Sequence, residues 1–137
     1  MTTKELSQLY YLNREIEMDE RRLNELEMKS TSISCNMSGM PSGGGPSRKI
    51  ENLVAEIVDL KTIIAAKQLQ CIHERNRLER YIAEIPDSFT RQIMTLRFIN
   101  GLPWSQVAYS IGGGNTEAGV KKNCYRYLKA SEKGNSV

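Results

Sequence analysis

Lys121, Lys122, Arg126 and Lys129 recur along one side of a stretch that reads as a helix over about residues 117–130. Cations at that spacing can neutralise a row of phosphates and release the counterions condensed on a nucleic acid. The same geometry puts Ala118, Lys121, Lys122 and Tyr125 on the first two exposed turns, where side chains can reach base edges in a major groove. Tyr125 could contact a thymine methyl or a base face, and it could equally support the fold. Taken alone, a basic face is also what a solvated terminal helix shows. The chemistry on offer is therefore polyanion binding, and what precedes the helix has to decide whether it is used.

Other chemistry has little to work with. His73 is the lone histidine, on a polar helix face without a second ligand nearby. Cys35, Cys71 and Cys124 are odd in number and form no C-x-x-C, which argues against both a secreted disulfide framework and a zinc site. The carboxylates are scattered along amphipathic patterns, with no nucleophile–base–acid set, so no enzyme is expected. Gly43-Gly44-Gly45 lacks the G-x-x-x-x-G-K-[ST] pattern and a preceding strand, which argues against a phosphate loop. No cofactor is implied.

The elements that must position the basic face begin at Ile85-Pro86, a helix stop. Asp87 can cap a helix over Phe89–Ile99, with Phe89, Ile93, Leu96 and Met94 at helical spacing. Asn100-Gly101 ends it. Pro103 suits a first turn, and Trp104–Ile111 gives a short helix with Trp104, Val107, Ala108 and Ile111 inward. Gly112-Gly113-Gly114-Asn115 is a turn, after which Asn115 or Thr116 caps the basic helix, Glu117–Ala130. Val120, Cys124, Tyr127 and Leu128 form its buried stripe. A short helix, a Gly turn and a basic second helix make a helix-turn-helix reading.

At these residues the chain resembles region 4 of bacterial sigma factors of the sigma-70 type. The pattern is Ile85-Pro86, Leu96-Arg97-Phe98, Gly101-Leu102, Val107-Ala108, Ile111-Gly112, Val120-Lys121 and Arg126-Tyr127-Leu128. It covers about the last third of the chain and is also similar to small phage late-transcription regulators of the ArpU and RinA type. Two residues more than the usual sigma pattern stand between Gly112 and Val120, and Glu117-Ala118 replaces the frequent Arg-Glu. The resemblance implies base reading by Glu117, Ala118, Lys121 and Lys122, and backbone contact by Ser105 and Gln106. With Thr116, Tyr125, Arg126 and Lys129 these make the candidate DNA-binding set. It further implies a sequence-specific regulator that activates late phage genes, with double-stranded DNA and host RNA polymerase as partners.

Ahead of residue 86 the chain reads as long helices. Thr2 and Glu5 have capping-box spacing. Leu9, Leu12, Ile16, Leu23 and Leu26 follow a heptad seam broken once, at Asp19, and the helix should fade near Ser30. Ser30–Ser47 carries no charge and is rich in Ser and Gly, so it reads as a flexible linker. Arg48–Glu84 is the clearest helix, with a seam from Ile50 through Leu53, Ile57, Leu60, Ile64, Lys67, Cys71, Glu74, Leu78 and Tyr81 to Ile85. Val54, Ile63 and Ile82 widen that stripe beyond one partner helix.

The expected architecture is all-α: a helical hairpin over residues 1–85 with its linker at 30–47, then a helix-turn-helix domain over 86–137. The long helices can also hold copies together as a homo-oligomer. Residues 1–85 hold 12 Lys/Arg against 13 Asp/Glu, and 86–137 hold 7 against 3, so the overall charge of +3 is concentrated at the end that would meet DNA. No apolar run approaches a membrane span and the first residues lack a signal peptide, so the expected location is the cytoplasm of a bacterial host. Two other readings fit the same elements. A terminase small subunit-like DNA-packaging protein also pairs a helix-turn-helix with oligomerising helices, usually in the opposite order. A helical adaptor could use the helix-turn-helix on RNA polymerase or a sigma factor.

Overall fold

The computed structural model describes residues 1–36 and 45–135, with side chains described outside 33–47 and 135–137. Every regular element among them is helical: α1 (Thr3–Leu6), α2 (Gln8–Asn36), α3 (Gly45–Ala83), α4 (Ser88–Met94, running into a π-helical turn at Thr95–Ile99), α5 (Trp104–Ile111) and α6 (Glu117–Asn135). The chain is all-α. It forms two compact units, one of Met1–Leu12 with Cys71–Val137 and one of Asn13–Gln70.

In Asn13–Gln70, α2 and α3 run antiparallel. Lys67 meets Asp19 and Glu15, while Lys61 meets Glu27, so the register advances along one helix as it retreats along the other. Ile16, Leu60 and Ile64 are buried between them, and Leu23, Leu26, Leu53 and Ile57 are half-buried. Asp19 and Lys67, the polar breaks of the two seams within this unit, face each other at 2.6 Å. A polar pair inside a seam fixes register, because any slip leaves each charge against apolar groups.

The bond to Asp19 raises the Lys67 ammonium above the ordinary 10.5, against a partial opposing effect of burial and with further help from the Asp19 and Glu15 charges. A lysine raised on folding stabilises fully below its unfolded value, and that contribution is lost as pH rises through the folded value. Asp19→Ala should therefore lower the melting temperature at pH 7 more than Glu27→Ala, whose Lys61 pair is 59% and 46% exposed. The Asp19 effect should shrink above pH 10.5. Circular dichroism melts across pH measure both; equal losses would mean the seam pair carries no special weight.

Ser30–Ser47 is not a linker throughout. Helix α2 continues to Asn36 and α3 already begins at Gly45. The Thr31 hydroxyl donates back to the Glu27 carbonyl of the preceding turn at 3.0 Å, so the side chain is satisfied within the continuing helix. The first Gly or Pro after Ser30 is Gly39, which lets the turns up to Asn36 propagate. The centre of the expected linker, residues 37–44, lies outside the described residues.

In the other unit, the capping box forms as its spacing predicts. Thr2 Oγ1 accepts from the Glu5 N–H at 3.2 Å, and Glu5 Oε2 accepts from the Thr2 N–H at 3.3 Å. The single rod expected from Thr3 is interrupted, however. The Ser7 hydroxyl donates to the Thr3 carbonyl at 2.9 Å, closing α1 after four residues. Leu6 and Leu9 then enter one core with Leu78, Ile82 and Ile85 of the α3 end and with apolar residues of α4, α5 and α6. The stop at Pro86 is held by Arg91, whose guanidinium donates to the carbonyls of Ile85 at 2.6 Å and Pro86 at 3.2 Å, where a helix end leaves carbonyls without partners.

Candidate nucleic-acid interface

Helix α4 starts where the sequence places it. Asp87 Oδ2 accepts from the Thr90 N–H at 3.2 Å and from its hydroxyl at 2.7 Å. These bonds hold the Asp87 carboxyl below its ordinary value. Thr90 is buried, and its hydroxyl also reaches Asn123 of α6 at 3.5 Å, which ties the start of α4 to the middle of the basic helix.

The expected single helix Phe89–Ile99 needs a correction. From Thr95 the backbone widens to π geometry, with the Asn100 N–H on the Thr95 carbonyl at 3.0 Å, and the Leu102 N–H closes the helix end on the Leu96 carbonyl at 3.1 Å. One extra residue in a turn rotates everything after it by about 100°. Phe98 is buried with that change, and Leu96, expected inward, is only half-buried; Phe89, ahead of the turn, is half-buried too. Gly101 at φ +70° reverses the chain, a conformation that costs a residue with a Cβ.

Helix α5 spans the expected residues, and Trp104, Val107 and Ala108 are buried while Ile111 is half-buried. Trp104 is clamped from two sides. The Arg97 guanidinium sits 4.7 Å from its ring centroid and donates to the Leu102 carbonyl at 3.1 Å, and the Tyr125 ring of α6 lies 6.0 Å away. That packing orients α6 about α5. Tyr125 remains 40% exposed, so it serves the fold on one side and solvent on the other.

The turn between α5 and α6 uses three consecutive positive-φ glycines, Gly112, Gly113 and Gly114 at +70°, +65° and +76°. No β-branched or bulky residue tolerates such a run. Asn115 Nδ2 donates to the Gly112 carbonyl at 2.8 Å and stiffens the turn, while Thr116 is the residue that caps α6, accepting from the Gly119 N–H at 3.1 Å. A Cβ at Gly119 would stand 3.0 Å from that Thr116 oxygen, so the glycine makes room for the cap.

Helix α6 runs to Asn135, past the expected end at Ala130. Val120, Cys124 and Leu128 are buried and Tyr127 half-buried, on the stripe read from the sequence. Cys124 Sγ packs 3.7 Å from Met94 Sδ, and burial pushes its thiol up to about 11, which makes it an inert core group. The opposite side presents Ala118, Lys122, Arg126 and Lys129, with Lys121 on the flank of the stripe and Glu117 in line with it at the first turn; all six are exposed, as is Thr116 at the start. Ser105 and Gln106 are exposed on the first turn of α5.

None of the ion pairs formed among the described residues involves Lys121, Lys122, Arg126 or Lys129. On α3, Arg75, Arg77, Lys61 and Lys67 have acidic partners, whereas Arg80 is in none of these pairs. The unit that carries α6 holds 11 Lys/Arg and 7 Asp/Glu, or +4, and Asn13–Gln70 holds 8 and 9, or −1. Sequence reasoning did not single out Arg97, Asn123 or Gly119 as supports of this face. The first two matter through contacts with other helices, which no local pattern displays.

Among the described residues no group of three or more His, Cys, Asp or Glu is placed to hold a metal ion, and no helix is long and apolar enough to cross a membrane. No curated protein and no solved structure matches the chain. A family of proteins of unknown function, designated DUF1492, matches residues 29–129, from within α2 to the exposed turns of α6. On that match, which covers most of its length, the chain belongs to the DUF1492 family.

Proposed function

We propose that α5 and α6 act as a helix-turn-helix that binds double-stranded DNA at specific sites, and that the protein regulates transcription. The observation that carries this reading is the α6 face: four exposed cations that form no ion pair among the described residues, on the helix that follows a tight glycine turn. Exposed cations that form no ion pair among the described residues are suited to phosphates, which bind by counterion release. The first two turns of α6 would enter the major groove with Ala118, Lys121 and Lys122 toward base edges, and Ser105 and Gln106 of α5 would meet the backbone. Glu117, the one acidic group there, suits the amino group of a cytosine.

The role in activating late genes of a phage or prophage, and contact with host RNA polymerase, follow the resemblance to sigma region 4 and the ArpU and RinA regulators. The test is selection from a pool of random duplexes by the full chain, followed by in vitro transcription from the recovered sites with and without the protein. A single enriched motif that confers protein-dependent transcription is expected. Retention of all duplexes alike, or of none, would sink the specific-binding reading.

A further inference from the structure

The side of α3 away from the hairpin seam carries a second row at three- and four-residue spacing: Ala55, Val58, Thr62, Ala65 and Leu69. It lies roughly 160° round the helix from Leu60 and Ile64. All five residues are exposed, Val58 and Leu69 at 56% each. The Thr62 hydroxyl donates to the Val58 carbonyl at 3.0 Å, so the row carries no unbonded hydroxyl. From Thr62 to Gln70 the single charge is Lys67, which points to Asp19 and Glu15 in the hairpin. The row itself carries no charge, although Glu56, Asp59 and Lys61 flank its first half, so it suits contact with another uncharged surface.

We propose that α3 of a second copy packs antiparallel on this row, making the protein a homodimer through the outer face of its hairpin. A highly charged partner would have to strip its own charges of water against an uncharged strip, which is costly. The same strip on a second copy has no such cost, and the flanking charges select one register. With Val58 facing Leu69 of the second copy and Thr62 facing its Ala65, Lys61 lies beside Gln68 and Asp59 beside Ala66 of that copy. A slip that sets Val58 on Thr62 brings Asp59 against Asp59 and Lys61 against Lys61, two like-charge contacts. A parallel copy stacks like on like, leaving an Ala65-on-Ala65 gap beside Leu69 on Leu69, and gaps in a packed seam are destabilising. The antiparallel arrangement also closes on itself by a two-fold axis, the commonest symmetry of homo-oligomers.

The test uses the full chain without DNA, so it is independent of the DNA-binding reading. Sedimentation velocity over a concentration series should show a dimer. Val58→Lys alone and Leu69→Glu alone should each weaken association by roughly ten-fold or more. The double variant Val58→Lys/Leu69→Glu should recover it, since each new lysine then faces a new glutamate of the second copy. At concentrations low enough that every form is monomeric, circular dichroism melts close to wild type are expected for all three, because both positions are exposed. A wild-type chain that stays monomeric at high micromolar concentration overturns the proposal. So does a dimer that the double variant fails to restore, which would be the behaviour of a parallel pair.

Discussion

Leu78→Ala is expected to destabilise the unit of Met1–Leu12 and Cys71–Val137 by about 4 kcal/mol, the upper part of the range for a buried leucine. Leu78 is 0% exposed and sits where Leu6 and Leu9 meet the end of α3 and the helices of the C-terminal end. Removing its isobutyl group loses the transfer free energy of the buried methyls and leaves a cavity that three elements would have to collapse to fill. The only tryptophan of the chain, Trp104, lies in this core. Denaturant unfolding followed by Trp104 fluorescence therefore reads the surroundings of this core directly. Ile57→Ala, at a half-buried seam position in Asn13–Gln70, should hardly move the Trp104 transition. If Leu78→Ala left that transition in place, the packing of α1 and the α3 end into this core would be wrong.

That experiment also marks where sequence reading stops. The seam from Ile50 to Ile85 has one unbroken spacing, and spacing alone assigned all of it to a hairpin. In the structure Leu60 and Ile64 face α2, whereas Leu78, Ile82 and Ile85 share a core with Ile93, Met94 and Val120. A three-four repeat says that a face is buried; it does not say against what. Asp19 and Lys67 show the same limit. Each was visible as a flaw in its own seam, and only the antiparallel register reveals that the two flaws form one pair.

What the sequence did display were interactions that close within a few residues. The Thr2–Glu5 box, the Asp87 and Thr116 caps and the positive-φ Gly101 all depend on partners at most three residues away or on the backbone itself. The apolar stripe of α6 was legible for the same reason, since its period is internal to one helix. The π-helical turn was not, because Thr95–Ile99 contains nothing that forbids an ordinary helix. Its wider bonds come with the burial of Phe98, a tertiary gain that local propensity does not register.

For the DNA-binding reading, Lys122→Ala and Lys129→Ala should separate base reading from phosphate attraction. Both lysines are exposed on α6, but they stand two turns apart. Lys122 follows Val120, which anchors the first turns of α6 to the core, so its position on the groove-facing side is fixed from beneath. An early lysine on a groove-bound helix can reach the O6 and N7 acceptors of a guanine, a contact worth roughly 1–3 kcal/mol of discrimination. Lys129 lies beyond Leu128, where a helix entering by its N-terminus has left the groove floor, so only phosphate is within reach. Lys122→Ala should thus weaken binding to the selected site by roughly ten-fold or more while changing affinity for scrambled duplex far less. Lys129→Ala should weaken both alike and lower the salt slope by about one. Isotherms over a salt series on both duplexes measure these quantities. Equal losses for Lys122→Ala on the two duplexes would remove it from base reading, and no loss from either substitution would take DNA off the α6 face altogether.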